Sequence, residues 1–177
     1  DTDRSRGLGD VYKRQVCTSK DADPDSIFRY VEFPERVNYV GRLDKDSTGL
    51  LLLTNDGDLA NEIQRSRNNH EKEYHVRVNT DITEDFIKKM SEGVEILDTV
   101  TKPCKVKKTG TRNFSIILTQ GLNRQIRRMC DALHVRVVHL KRVRIMNIRL
   151  GNLRPGEFRT LTRDEEQELR RLVQKRS

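Results

Sequence analysis

Residues 39–58 read YVGRLDKDSTGLLLLTNDGD and decide how the rest of this 177-residue chain is interpreted. The apolar run Leu50–Leu53 is too short for an independent helix and is stopped by the turn signal at 55–57. We therefore predict a buried strand here. The loop before it carries two carboxylates, Asp44 and Asp46, on rigid support, which is how folds commonly present catalytic groups. From this pattern alone, the alternative is a surface turn in which both carboxylates cap backbone groups.

Positive charge is concentrated in one part of the chain. The formal net charge is +8, yet residues 101–160 contain fifteen Lys or Arg against two acidic residues, a local net charge of +13. The remainder of the chain is therefore net negative, at −5. A localised basic segment is typical of nucleic-acid-binding proteins. The alternative is a basic face that serves only solubility.

The cysteines and histidines predict neither a disulfide framework nor a metal site. Cys17, Cys104 and Cys130 are odd in number and widely spaced, and the four histidines form no metal-ligating motif. We expect reduced thiols in a cytoplasmic protein. No apolar run approaches membrane-spanning length, so no membrane partner is expected.

Hydrophobic periodicity predicts an α+β domain with a mainly antiparallel, mixed sheet and flanking helices. This domain is assigned to residues 16–177, and residues 1–15 are interpreted as a disordered or foreign tail. Strands are predicted at 74–78, 104–107 and 114–119. Helices are predicted at 59–64 with Asp58 as the N-cap, from a capping box of Asp81 and Glu84 to Gly93, at 124–133, and after a capping box of Thr162 and Glu165.

The helix predicted at 124–133 carries three arginines in different positions around its axis. Its apolar stripe consists of Ile126, Met129, Cys130 and Leu133. Arg127 lies on the shoulder of this stripe, where a half-desolvated guanidinium needs an anion, whereas Arg124 and Arg128 point closer to solvent and suit phosphate contacts. The alternative for Arg127 is a structural ion pair with any nearby acid.

Three motifs, in order along the chain, resemble those of the RsuA/RluA-type pseudouridine synthases. They are Gly41–Asp44 followed by Gly49-Leu50-Leu51, Glu73-Tyr74 at the start of a strand, and Gly121–Met129 at the start of a helix. Segments 70–74, 101–108 and 144–147 resemble the RsuA/RluB/E/F branch of that family. The similarity covers roughly Val16 to Val173.

The resemblance implies an isomerase that converts uridine to pseudouridine in RNA without cofactor or metal. The expected enzyme is bacterial, cytoplasmic and monomeric, with 23S rRNA as its partner and tRNA left open. Asp44 would be the nucleophile, attacking C6 of the base or C1′ of the ribose. Tyr74 would stack on the extruded uracil, Arg127 would keep Asp44 ionised and oriented, and Arg42 would help to hold the nucleotide out of its helix.

Basic residues near these motifs are the candidates for RNA binding. They are Arg42, Lys72, Lys105, Lys107, Arg124 and Arg128. Without the resemblance, Tyr74 would be assigned to core or edge packing, and the lysines at 102–108 to the solvated face of a strand. The family usually carries an S4-type RNA-binding domain and a Lys-Pro-x-Gly segment, which residues 1–15 do not match. The alternative function is therefore a non-catalytic rRNA-binding fragment, while an Asp-dependent hydrolase lacks a partner carboxylate or base.

Overall fold

The computed structural model describes residues 12–16, 38–40, 43–54, 56–65, 70–155 and 157–174. Four helices lie within these ranges: α1 (Gly57–Gln64), α2 (Glu84–Glu92), α3 (Gln125–Ala132) and α4 (Arg163–Gln174). Eleven strands are described: β1 (Tyr12–Val16), β2 (Asn38–Val40), β3 (Thr48–Thr54), β4 (Lys72–Val78), β5 (Glu95–Ile96), β6 (Thr99–Val100), β7 (Lys105–Gly110), β8 (Asn113–Leu118), β9 (Val137–Ile145), β10 (Ile148–Arg149) and β11 (Phe158–Thr160).

Nine of these strands form one sheet in the order β11-β1-β3-β9-β4-β8-β7, with β2 beside β3 and β10 beside β9. Strands β5 and β6 form a separate hairpin. The pair β3–β9 is parallel, and the other described pairs are antiparallel. The predicted α+β class with a mainly antiparallel, mixed sheet is confirmed. None of the helices in the described part of the chain has the length and apolar character that a membrane crossing requires.

Strand β3 is the buried strand that the run Leu50–Leu53 predicts. All four leucines have a relative exposure of 1% or less, because β3 lies between β1 and β9 and helices cover the sheet. Its second residue, Gly49, has φ of +119°, and a Cβ there would overlap the Arg142 carbonyl oxygen and lie 2.5 Å from the Arg142 nitrogen. Only glycine allows this approach.

Two hydrophobic clusters support the two halves of the sheet. The first packs Leu50 and Leu52 of β3 against α1 and α4. The second packs Phe114 and Ile116 of β8, with their neighbours on β4, against α2 and α3. The predicted site motifs lie where these two halves meet, at the junction of β3, β9 and β4.

Two predicted helix caps are wrong, and one is confirmed. Asp56 caps α1 in place of Asp58, since its carboxylate accepts a hydrogen bond from the Leu59 N–H at 3.1 Å. Thr83 caps α2 in place of Asp81, which pairs instead with the Arg112 guanidinium across the surface. The capping box of Thr162 and Glu165 is present, with reciprocal bonds of 2.9 and 3.1 Å.

The predicted start of the domain at Val16 is also wrong. Tyr12–Val16 forms β1, which pairs with both β3 and β11, so the sheet includes residues 12–15 that the sequence interpretation assigned to a tail. The assignment of residues 1–11 to a tail lies outside the described residues.

Candidate active site

A tight turn places Asp44 at the edge of the sheet. The Ser47 N–H donates to the Asp44 carbonyl oxygen at 2.9 Å, which closes the turn immediately before β3. Leu43 and Ser47 are buried at either end, whereas Lys45 and Asp46 are exposed at its tip. Asp44 is half-buried, and the hydrogen bond that closes the turn fixes the backbone that carries its carboxylate.

Strand register brings Tyr74 to the same place. Gly49 of β3 is opposite Arg142 of β9, and Arg142 is in turn opposite Tyr74 of β4. The β4–β9 register shifts between Glu73 and Tyr74, where β9 has one extra residue, Val143, while β4 stays in regular register with β8. Half-buried Tyr74 packs partly on the second hydrophobic cluster and partly lines a cavity. The core-packing alternative for Tyr74 therefore describes only part of its environment.

The cavity lies between the turn, β4, β9 and the entry to α3, and has a volume of about 350 Å³. That volume lies within the usual range for small-molecule sites in proteins. Its lining includes Asp44, Tyr74, Lys72, Arg124 and Arg142. The cavity therefore brings together one acid, one aromatic ring and these three cations, which lie far apart in the sequence.

Asp46 is held by two arginines of the third motif. Arg124 binds both carboxylate oxygens of Asp46, with Nη1 and Nη2 each at 3.1 Å. Arg127 donates from Nη2 to the Asp46 carbonyl oxygen at 2.8 Å, and its Nε lies 3.5 Å from the Asp46 carboxylate. The hydrogen bond from Arg124 lowers the pKa of Asp46 below its ordinary value. We call Asp46, Arg124 and Arg127 the clamp.

The clamp changes the role predicted for Arg127. Within the described ranges, no hydrogen bond or ion pair joins Arg127 to Asp44, so their predicted direct pairing is not observed. Arg127 reaches Asp46 and, at 3.4 Å, the Ser47 hydroxyl instead. It is nearly buried, with 13% of its side chain exposed, and so fixes the turn that carries Asp44. The charge of Asp44 contributes, after Asp46, to raising the pKa of Arg124.

Lys72 lies on the cavity wall in a poorly solvated position. Its cross-strand neighbours are Leu118 on β8 and Ile145 on β9, both apolar and buried. Burial, and secondarily the charge of Arg142, lower the pKa of Lys72 from 10.5 to about 8. Arg142 itself is buried and donates from Nε to the Leu50 carbonyl oxygen at 3.0 Å.

Three of the other predicted RNA-binding residues do not line the cavity. Lys105 and Lys107 are exposed on β7, at the far end of the sheet, and do not line the cavity. Arg128 donates to the backbone and side-chain oxygens of Asn123, both at 2.9 Å, and so supports the loop before α3. Arg42 lies outside the described residues.

Sequence reasoning missed three buried polar residues of the site, Gln125, His70 and Arg142. Gln125 ties together the loop before α3, since its amide accepts from the Leu122 N–H and donates to Gln120. His70 lines the cavity, with Nδ1 3.2 Å from the Ile63 carbonyl oxygen. Gln125 belongs to the third motif and His70 to segment 70–74, so both were available as candidates.

Across the ranges that the structure describes, no group of three or more His, Cys, Asp or Glu side chains is placed to hold a metal ion.

Comparison with known proteins identifies clear relatives. Residues 13–132 match the family model described as RNA pseudouridylate synthase. The chain is 53% identical over 162 residues to the dual-specificity RNA pseudouridine synthase RluF of Escherichia coli (strain K12), covering 92% of this chain and 56% of that protein. It is 34% identical over 150 residues to the ribosomal large subunit pseudouridine synthase B of Bacillus subtilis (strain 168), covering 81% and 62% respectively.

Solved structures share the fold. A crystal structure of a pseudouridylate synthase superposes with a TM-score of 0.84 at 29% identity, covering 90% of this chain and 73% of that one. Human RNA pseudouridylate synthase domain containing 1 shares the fold with a TM-score of 0.52 at 16% identity, covering 97% of both chains. The chain spans little more than half the length of the curated relatives named above.

Proposed function

The chain belongs to the RNA pseudouridylate synthase family, and on that premise we propose that it isomerises uridine to pseudouridine in RNA. The observation that carries the proposal is that Asp44 and Tyr74, from the first two motifs, line one cavity. The Asp44 carboxylate has no hydrogen-bond or ion-pair partner among the described residues, so it is available to a substrate.

The proposed reaction needs no external oxidant or reductant. The Asp44 carboxylate adds to C6 of the base or to C1′ of the ribose, and the C1′–N1 bond breaks. The base turns, C5 bonds to C1′, and the bond between Asp44 and carbon breaks so that the carboxylate is released. The C5 hydrogen leaves as a proton, and N1 gains one. A carboxylate suits this role because it forms a bond to carbon and still departs as a stable anion.

Tyr74 and the clamp position the reacting groups. We propose that the Tyr74 ring stacks on the extruded uracil, since it lines the cavity from a strand backed by the hydrophobic core. Extruding a base costs a few kcal/mol, and stacking on an aromatic side chain recovers part of that cost. Arg127 acts as a positioning residue, because it binds the Asp46 carbonyl oxygen two residues after Asp44.

The proposed substrate is large-subunit rRNA. A curated relative is named for the large ribosomal subunit and another for dual specificity on RNA, which supports testing both 23S rRNA and tRNA. The local net charge of +13 at residues 101–160 suits a polyanionic partner. A monomer acting in the cytoplasm completes the proposal.

The test is tritium release from Escherichia coli 23S rRNA transcribed with 5-tritiated uridine. We expect release by the unaltered protein and a loss of more than about 10⁴-fold in Asp44→Asn, because the nucleophile is removed. Asp46→Asn is the matched control: it removes a carboxylate two residues away and should retain measurable release. Equal release by the unaltered protein and Asp44→Asn would refute the assignment of the nucleophile.

The same samples test the alternative of a non-catalytic RNA-binding fragment. That alternative predicts no tritium release from any variant, together with binding whose log–log salt slope is about −0.7 per contacted phosphate of single-stranded RNA. Unaltered protein that binds the transcript with such a slope but releases no tritium from rRNA or tRNA would favour the fragment over the enzyme.

A further inference from the structure

Lys72 differs from the other three cations of the cavity in having no hydrogen-bond or ion-pair partner among the described residues. One of the three, Arg65, pairs with Glu62 at 3.5 Å. Arg124 binds the Asp46 carboxylate through two hydrogen bonds, and Arg142 donates to the Leu50 carbonyl oxygen. No hydrogen bond or ion pair involves the Lys72 ammonium within the described part of the chain. Its neighbours Glu71 and Glu73 are both bound by Arg144.

The position of Lys72 suits contact with the same base that Tyr74 would stack on. The two residues are separated by one position on β4, which pairs regularly with β8 here, so their side chains lie on the same face of the sheet and line one cavity. Asp44 lines the cavity from the turn. A base held on Tyr74 would therefore have the acid and the ammonium within the same small volume.

Both routes left open for Asp44 place negative charge on the base. If Asp44 adds to C6, the electron pair of the C5–C6 double bond moves through C4 to O4 as an enolate. If Asp44 attacks C1′, the electron pair of the C1′–N1 bond stays on the uracil and spreads to O2 and O4. In either case the carbonyl oxygens need a donor, and preorganised donors in a poorly solvated site stabilise such charge strongly.

We propose that the Lys72 ammonium donates a hydrogen bond to a uracil carbonyl oxygen and stabilises the negative charge that develops there during isomerisation. This inference rests on the proposed function. It makes Lys72 a catalytic residue, whereas a phosphate-binding lysine would contribute equally to the bound substrate and the transition state. The charge returns to the Asp44 carboxylate when its bond to carbon breaks, and the proton lost from C5 is balanced by the proton gained at N1. The ammonium is therefore unchanged at the end of the cycle.

The cost of leaving Lys72 unpaired supports this role. An ammonium in apolar surroundings is disfavoured, and the pKa of about 8 reflects that burial. The ionisable groups that line the cavity with it are Arg142 on β9, Arg124 at α3, Arg65 after α1, Asp44 on the turn, Tyr74 on β4 and His70 in the segment before β4. Three of these groups are arginines and one is a carboxylate, so the cavity has an excess of positive charge that an anion developing on the base would reduce.

The experiment compares Lys72→Met and Lys72→Arg with the unaltered protein in steady-state tritium release from 5-tritiated 23S rRNA. We expect Lys72→Met to lower kcat by about 10²-fold with KM changed less than about 3-fold, since removing one such donor has an effect of that size. Lys72→Arg should recover part of kcat because the guanidinium remains charged. The matched control is Lys88→Met, which removes an exposed lysine of α2 that does not line the cavity.

The pH profile provides a second readout. For the unaltered protein kcat/KM should decline above about pH 8 as Lys72 loses its proton, and Lys72→Arg should lack that decline because arginine stays protonated. Lys72→Met with unchanged kcat, or with its whole defect in KM, would overturn the proposal. If the unaltered protein releases no tritium, the proposed function has failed; if it does and Lys72→Met matches it, only this inference has failed.

Discussion

The clamp and the open cavity groups occupy neighbouring positions but are built in opposite ways. In the clamp, Asp46 is bound by Arg124 and Arg127 through both its carboxylate and its carbonyl oxygen. In the cavity, Asp44 and Lys72 have no hydrogen-bond or ion-pair partners among the described residues. The satisfied groups fix the geometry, and the unsatisfied groups are available to a substrate. We therefore expect the two carboxylates of this short turn to have different functions, because one has partners and the other has none among the described residues.

The largest change in the free energy of unfolding is expected at Gly49, where the turn meets the sheet. Gly49→Ala places a methyl group against the Arg142 backbone at a φ that side chains rarely adopt. Strain and overlap together should lower the free energy of unfolding by about 3–5 kcal/mol, measured by urea denaturation. Gly57→Ala is the control, since a methyl group at the start of α1 meets no atom within 4 Å. If both variants unfold at the same urea concentration, the turn does not depend on this contact.

A smaller change in the free energy of unfolding, this time an increase, is expected for Lys72→Met. Removing a poorly solvated ammonium should raise the free energy of unfolding by about 1–3 kcal/mol at pH 7. Because the folded-state pKa of Lys72 is lowered to about 8, the unfolded chain binds the extra proton between pH 8 and 10.5, and stability rises with pH there. The advantage of Lys72→Met should therefore be full below pH 8 and vanish towards pH 10.5. A variant less stable than the unaltered protein at pH 7 would show that Lys72 is a structural residue.

The smallest change in stability is expected at the clamp. Asp46→Asn replaces a largely exposed ion pair and should lower the free energy of unfolding by about 0.2–1 kcal/mol. Since the pKa of Asp46 is lowered in the folded state, its contribution is present above the ordinary value of 3.8 and is lost as pH falls through the lowered value. The unfolding free energy of Asp46→Asn should lack this acid-dependent component.

Measurements of tritium release can distinguish the clamp from an ordinary surface ion pair. Loosening the turn should reduce tritium release about 10-fold in Asp46→Asn, because small misplacements of a reacting group are costly. The control is Asp85→Asn, which breaks the exposed pair with Lys89 on α2 and should leave release unchanged. Equal release by these two variants would show that the clamp does not position Asp44.

Local patterns predicted the parts of the fold that are determined locally. The leucine run gave β3, the apolar stripe gave α3, and Thr162 with Glu165 gave the start of α4. The wrong caps show the limit of this reasoning. Asp58 and Asp81 have suitable chemistry, but Asp56 and Thr83 have the extended backbone and the reach that capping requires.

The candidate site was predicted less completely because its partners are distant in sequence. The motifs brought Asp44 and Tyr74 to one cavity, but nothing local distinguishes Asp44 from Asp46 as the partner of Arg127. The choice depends on where α3 lies relative to the turn, which is set by sheet order. The poor solvation of Lys72 likewise follows from Leu118 and Ile145, its neighbours on two other strands.

The parallel pairing of β3 with β9 has a consequence for how the protein is made. Arg142 lies 92 positions after Leu50, whose carbonyl oxygen it binds, so this contact closes a long loop of chain. Such non-local contacts slow folding, because the entropy of loop closure is lost before the contact stabilises the product. During synthesis the loop with Asp44 emerges long before β9, and the two can join only once residues up to about Ile145 have left the ribosome. We therefore expect the complete cavity to form late in synthesis, and in one step, when β9 pairs with β3.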